Sequence, residues 1–232
     1  MKIGIVGDIH GEIDYLEKMV RELDVDFFLQ VGDMTTYLDP SEIDSATKAN
    51  GFNPEFKNHY DQKKGLDKPT FFIKGNHENF DFLKEHENKE ILPNLTYLTN
   101  QQIFRLGSLN IGIMGGNYAP SKYNITREKL GKNGNASKYF NFEDINFLKD
   151  KSVDVLLTHD APENQVLPGI SKGKGCNEIK SLIEKLQPKY AFHGHYHTPC
   201  KYRTMIGDTK IVGLPLITNK SIHEKPYYIL EV

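Results

Sequence analysis

The chain has no tryptophan and only two cysteines, Cys176 and Cys200, among 232 residues. Two thiols make no disulfide framework, and neither has partners at metal-ligand spacing, so inert side chains in a reducing compartment are expected. An excess of one charge sign is also missing: 29 Lys and Arg stand against 31 Asp and Glu, a net charge of −2. That balance excludes the global basic footprint of a non-specific nucleic-acid binder, and leaves only local contacts with such a partner. No apolar run approaches the roughly 20 residues of a membrane span, and no apolar leader with a small-residue cleavage site precedes the first strand-like segment. A cytoplasmic protein without membrane contact is expected. Repeats and low-complexity tracts are absent too. The 38% hydrophobic content suffices for a sizeable core, and residues 1–232 read as a single domain. Composition leaves the oligomeric state unspecified.

Short apolar runs bounded by turn signals punctuate the chain. "KIGIV" (2–6), "DFFLQV" (26–31), "TFFIK" (70–74), "LNIGIM" (109–114), "VDVLLT" (153–158) and "KYAFH" (189–193) predict buried strands. Between them, 12–23, 143–150 and 177–186 carry apolar residues at helical spacing, with Asn177 as the expected N-cap of the last. Strand alternating with helix argues an α/β fold. The tail departs from it: "CKYRTMIG", "TKIVGL" and "PYYILEV" are strands with only turns between them, which predicts an antiparallel edge or a second sheet. Residues 34–68 are long for a loop and read as partly helical; the Gly/Asn/Lys-rich stretch 115–140 reads as an exposed loop.

Five predicted strands end alike. After them come Asp8 and His10; Asp33; Asn76, His77 and Glu78; His159 and Asp160; and His195 and His197. Ligands of α/β sheets bind beyond the carboxyl ends of the strands, so these groups can converge. Glycines before the clusters are expected to supply tight turns from strand to site. Imidazoles with carboxylate and amide oxygens, and no thiolates, suit Mn, Fe, Zn, Ni or Co. Asp8, His10, Asp33, Asn76, His159, His195 and His197 are seven candidate donors, more than the about four that one tetrahedral zinc needs. Seven suits two divalent ions sharing a bridging carboxylate, at the roughly 3.5–4 Å spacing that clamps the attacking and leaving oxygens of a phosphoryl group.

In this order, "GDIHG", "GD", "GNHE", "THD" and "GHYH" resemble the signature of the calcineurin-like metallophosphoesterases, and the resemblance covers nearly the whole chain. It implies a four-layer α-β-β-α sandwich with two mixed sheets and a dinuclear metal site at the C-terminal ends of the strands. It implies that Asp8, His10 and His197 bind one ion, that Asn76, His159 and His195 bind the other, and that Asp33 bridges them. His77, with Asn76 beside it, would contact the phosphate or protonate the leaving oxygen. A metal-bridging hydroxide would then attack phosphorus in line. Protein phosphatases of this family continue the second motif with Asp-Arg-Gly, whereas Asp33 here is followed by "MTTYLD". The layout is more similar to the catalytic domain of RNA lariat debranching enzymes, through "NPEFKNHY", "KPTFFIKGNHE", "LPNLTYL", "IGIMGG", "LLTHDAP" and "LQPKYAFHGHYH". Eukaryotic debranching enzymes carry Cys where Asp8 stands, so fuller metal occupancy is implied here. The expected substrate is a phosphodiester, a nucleotide or RNA. A phosphomonoesterase and a non-catalytic metal-binding scaffold are the alternatives.

Plainer roles compete at single positions. Asp8 could cap a helix, Asp33 could serve a turn, and Asn76 could sit in a left-handed turn. Asp160 could orient His159 or cap the next segment. His193 alternates in phase with His195 and His197 and reads as a buried strand residue. His59, His86 and His223 match no motif and read as surface residues. Lys122, Arg127, Lys129, Lys132 and Lys138 could guide a polyanion or form a solvated loop. "SKGKG" (171–175) could meet a phosphate at a helix N-terminus or be a plain turn.

Overall fold

A computed structural model describes residues 1–50, 53–167, 172–218 and 225–232. The first half runs β1 (Lys2–Val6), α1 (Ile13–Glu22), β2 (Phe27–Gln30), α2 (Ser45–Asn50), α3 (Glu55–Gln62), β3 (Thr70–Ile73), α4 (Phe80–Glu85), β4 (Glu90–Leu92) and β5 (Leu95–Leu98). The second half runs β6 (Ile103–Leu106), β7 (Leu109–Met114), α5 (Pro120–Tyr123), α6 (Arg127–Leu130), α7 (Phe142–Leu148), β8 (Val155–Thr158), α8 (Asn177–Leu186), β9 (Tyr190–His193), β10 (Arg203–Ile206), β11 (Thr209–Gly213) and β12 (Tyr227–Glu231).

Two six-stranded mixed sheets result, ordered β12-β1-β2-β3-β5-β4 and β10-β11-β9-β8-β7-β6. β1, β2, β3 and β5 run parallel, and antiparallel strands β12 and β4 close the two edges. In the second sheet β7, β8, β9 and β11 run parallel between antiparallel β6 and β10. The parallel centres need both faces covered, and the side-chain alternation of each strand provides for it. Ile3 and Ile5 of β1 face the other sheet, packing with Leu29, Ile113, Leu157, Phe192 and Val212. Val6 and Phe28 face outward onto Ile13, Leu16 and Val20 of α1. On the far side, Ile179, Leu182 and Ile183 of α8 cover Met114, Leu156, Ala191 and Ile211. The order of layers is therefore helix, sheet, sheet, helix. Each of these fully buried aliphatic side chains contributes roughly 1.5–3 kcal/mol.

The expected strands match to within three residues at either end. Three further strands, β4, β5 and β6, were not predicted; β4 has only three residues, and β6 has two half-buried residues followed by one exposed and one buried, so neither gives a clean period of two. Asn177 is the first helical residue of α8 rather than its cap; that position belongs to Cys176, whose side chain makes no capping hydrogen bond. Residues 34–68 are partly helical, as expected. Residues 115–140 are not an open loop: short helices α5 and α6 fold back so that Leu130 and Phe140 are buried. No helix among the described residues is long and apolar enough to cross a membrane.

Candidate metal centre

The strand ends that carry the candidate donors come from both sheets. β1, β2 and β3 lie at the centre of one, and β8 and β9 at the centre of the other. Asp33, just past β2, is 2% exposed. Its Oδ1 accepts the backbone N–H groups of Asn76 at 2.7 Å and His77 at 2.8 Å. Its Oδ2 faces the Nε2 of His10 at 3.7 Å and that of His159 at 3.5 Å. Asp8, fully buried past β1, accepts the backbone N–H of His195 and the Nε2–H of His197 at 3.1 Å. Burial alone would push the Asp8 carboxyl up; the His197 hydrogen bond and the fields of His159 and His10 outweigh it and hold the group at about 2.

The imidazoles divide by environment. Burial dominates for His10 and His195 and lowers both, which keeps the rings neutral and able to donate a lone pair to a cation. Burial also opposes charge on His159 and His197, but facing carboxylates outweigh it: Asp33 and Asp8 raise His159, and Asp8 raises His197. His159 Nδ1–H donates to the Val31 carbonyl at 2.8 Å, so Nε2 is the nitrogen turned to the site, 3.0 Å from Asn76 Oδ1. The His77 ring stands edge-on to His10, with centroids 5.2 Å apart.

Donor atoms of Asp8, His10 and His197 lie within 4.8 Å of one another, and so do those of Asp8, Asp33 and His159. His195 belongs to neither triple; its ring lies 5.2 Å from that of His159. The set fits divalent cations. Two buried carboxylates turned to one space repel unless positive charge lies between them, and hard oxygens with imidazole nitrogens suit such ions.

Backbone geometry supports the site partly as expected: Gly32, directly before Asp33, turns with φ of 103°. Gly75 and Gly194 do not occupy left-handed conformations; they are spacers. A Cβ at Gly75 would lie 2.0 Å from Asp33 Oδ1, and one at Gly194 would lie 2.1 Å from Asp8 Oδ1. Left-handed conformations also fall on four of the candidate donors themselves: His10, Asp33, His195 and His197 have φ of 45°, 58°, 61° and 50°. Strain of this kind at non-glycine residues gathers at functional sites.

Some expectations change at this level. Asp160 does not orient His159; it accepts the backbone N–H groups of Tyr118 and Ala161, and the Val31 carbonyl holds the imidazole instead. His59 is buried rather than at the surface, because α3 lays it against Asp14 of α1, with Nε2 2.7 Å from Oδ1. His86 is half-buried on the Phe82 ring. His193 is buried in β9, as expected. His223 and Ser171 lie outside the described residues. The amides of Gly173 and Gly175 are taken by Asn164 Oδ1 and the Tyr196 hydroxyl, which fits a plain turn. Arg127 ties Glu87, Thr99 and Asn100 together, and Lys132 pairs with Glu128. Both cysteines are buried, and burial pushes the Cys200 thiol up to about 12 and raises Cys176 as well. Two supporting roles escaped the sequence reading. Glu78, inside "GNHE", accepts backbone N–H groups of Met34, Thr35, Thr36 and Gly75 and so clamps the β2 and β3 ends together. Thr47, 2.8 Å from His77 Nδ1, lies in no motif at all.

Residues 1–199 match the calcineurin-like phosphoesterase family. The chain belongs to that family. Its members are phosphoesterases, hydrolases of phosphoester bonds, and the curated relatives it matches include lariat debranching enzymes. That of Arabidopsis thaliana is 26% identical over 89% of this chain and 56% of its own length. That of Schizosaccharomyces pombe is 26% identical over 85% and 48%. The chain thus spans about half the length of these two relatives. An uncharacterized Haemophilus influenzae protein is 25% identical over 85% of this chain and 84% of its own length. Among solved structures, a Thermus thermophilus protein superposes with a TM-score of 0.59 at 16% identity, covering 93% of this chain and 89% of that one. That likeness places the calcineurin-like chain in a shared fold.

Proposed function

We propose that residues 1–232 act as one domain that hydrolyses a phosphate ester with divalent metal ions, preferring a phosphodiester such as a nucleotide or RNA. One observation carries the reading. Asp33 Oδ2 faces His10 on one side and His159 on the other, so one buried carboxylate oxygen stands between two groups of donors. Asp8, His10 and His197 would hold one ion and Asn76, His159 and His195 the other, with Asp33 shared. Ions bound there would supply Lewis acidity, polarising phosphoryl oxygens and lowering the pKa of water. The remaining work belongs to the chain. Asn76 and His77 contact the phosphate, and His77 delivers a proton to the leaving oxygen. The Asp33 hydrogen bonds to the Asn76 and His77 backbone hold both side chains at the site. The lariat debranching relatives support a diester as the preferred substrate.

The test is hydrolysis of bis-p-nitrophenyl phosphate and p-nitrophenyl phosphate by one metal-stripped sample re-supplied with Mn, beside His77→Ala. The expected result is metal-dependent turnover, faster on the diester and lost in the variant. Faster monoester turnover would replace the diester preference, and silence on both with metal bound would favour a scaffold.

A further inference from the structure

The segment between β2 and β3 touches the site at a point that the family motifs do not cover. Thr47, in α2 and 3% exposed, places its Oγ1 2.7 Å from Asp44 Oδ2 and 2.8 Å from His77 Nδ1. Asp44 also accepts the Tyr37 hydroxyl at 2.7 Å and the Thr47 backbone N–H at 3.1 Å. A threonine hydroxyl has one proton and two lone pairs, and an ionised carboxylate only accepts. The Thr47 proton therefore points to Asp44, and the Thr47 oxygen must accept from His77. If the hydroxyl donated to His77 instead, two oxygen lone pairs would face each other across 2.7 Å inside the fold, an arrangement that costs the energy of an unmade buried hydrogen bond.

We propose that Asp44 and Thr47 form a positioning relay that keeps a proton on His77 Nδ1, so that Nε2 is the nitrogen that meets the substrate; as an acid the ring carries a second proton on Nε2, and that proton passes to the leaving oxygen while Nδ1–H stays on Thr47. The proposal rests on the reading of His77 as the group that serves the leaving oxygen. The relay orients a ring whose backbone is already pinned: the His77 N–H donates to Asp33 at 2.8 Å. Asp33 fixes the main chain, while Thr47 fixes the rotation of the ring and the nitrogen that carries the proton. Thr47 is a positioning residue and touches no substrate. Asp44 receives hydrogen bonds from the Tyr37 hydroxyl and from the Thr47 backbone and side chain, which keeps its carboxylate aimed at Thr47. Histidines that serve metal and phosphate sites are tuned by such outer partners, whose loss typically costs about 10–100-fold in activity.

Two experiments test this, on the full chain. The first reads the imidazole nitrogen shifts of His77 by NMR in the metal-free protein and needs no turnover. Wild type should show a protonated, pyrrole-type Nδ1. Thr47→Val, which replaces the hydroxyl by a methyl of the same shape, should shift the population to Nε2–H, and Thr47→Ser should restore Nδ1–H. An Nε2–H ring in wild type, or no change in Thr47→Val, would overturn the relay. The second compares metal-loaded enzymes on two phosphate esters of one class that differ only in leaving group, p-nitrophenol or unsubstituted phenol. Thr47→Val should lower kcat on the phenyl ester about 10–100-fold, with KM unchanged and a much smaller loss on the p-nitrophenyl ester, which needs little help from an acid. Thr47→Ser should recover most of it. Equal losses on both esters would mean damage to the fold and defeat the proposal. A wild type silent on both esters, with Nδ1–H observed, would instead remove the phosphoesterase reading and leave the tautomer assignment standing.

Discussion

The two oxygens of Asp33 have separate tasks. Oδ1 is occupied by the backbone of residues 76 and 77, and Oδ2 is left for the space between His10 and His159. Replacing the carboxylate by an amide removes the shared charge, and an amide nitrogen at the Oδ1 position would also set N–H groups against the Asn76 and His77 donors. Asp33→Asn is expected to lower metal-dependent turnover by more than about 100-fold, beyond the loss typical of an outer-sphere partner, and to loosen the bound ions. Turnover with titration of metal content checks this, and an active variant that retains its metal removes Asp33 as the bridge. Sequence spacing found Asp33 because a carboxylate after a strand and glycine is a local pattern. The left-handed backbone of Asp33 and its split hydrogen bonding depend on residues far along the chain, with Asn76 lying 43 positions away, so no local pattern could show them.

β9 illustrates what a strand contributes beyond its terminal donors. His193, its last residue, is buried between layers, donates Nδ1–H to the Gly194 carbonyl, and leaves Nε2 without a hydrogen-bond partner among the described residues. Burial lowers it to about 4 from an ordinary 6.5. Between these values the unfolded chain binds a proton that the folded chain refuses. The stability present above pH 6.5 is therefore lost as pH falls through this window, by up to about 3 kcal/mol near pH 4. Urea unfolding of metal-free protein at about pH 7 and about pH 4.5 should show a steeper decline for wild type than for His193→Leu. Equal slopes would mean that His193 titrates normally. Alternation along "KYAFH" sufficed to place His193 inside. That Gly194 must be glycine became visible only with Asp8 packed against it from the other sheet.

At the scale of the whole molecule, the candidate centre is a seam between two sheets. The His159 hydrogen bond to the Val31 carbonyl and the His195 backbone hydrogen bond to Asp8 both cross it. Ions held by Asp8 and Asp33 from one sheet and His159 and His195 from the other would bind the folded state alone and stabilise it by mass action. At about 100 times its Kd, such an ion contributes about 2.7 kcal/mol, or a rise in Tm of roughly 5–10 °C for a chain of this size. Thermal scans with Mn and with Zn should show that rise in wild type and lose it in Asp33→Asn. No shift with either ion would contradict a metal centre at this seam.

The sequence by itself determined the α/β class, most strand and helix positions, the candidate donors at the strand ends and the family, because each is written in local periodicity or in short motifs. Tertiary structure decided the rest. It showed that the donors come from two sheets, that Gly75 and Gly194 are spacers for carboxylates, that Val31 rather than Asp160 orients His159, and that Thr47 reaches His77. The physical reason is common to all four. Each depends on which backbone or side chain stands within a few ångströms across the seam or under the β2–β3 segment, and that is set by packing between elements distant in the chain.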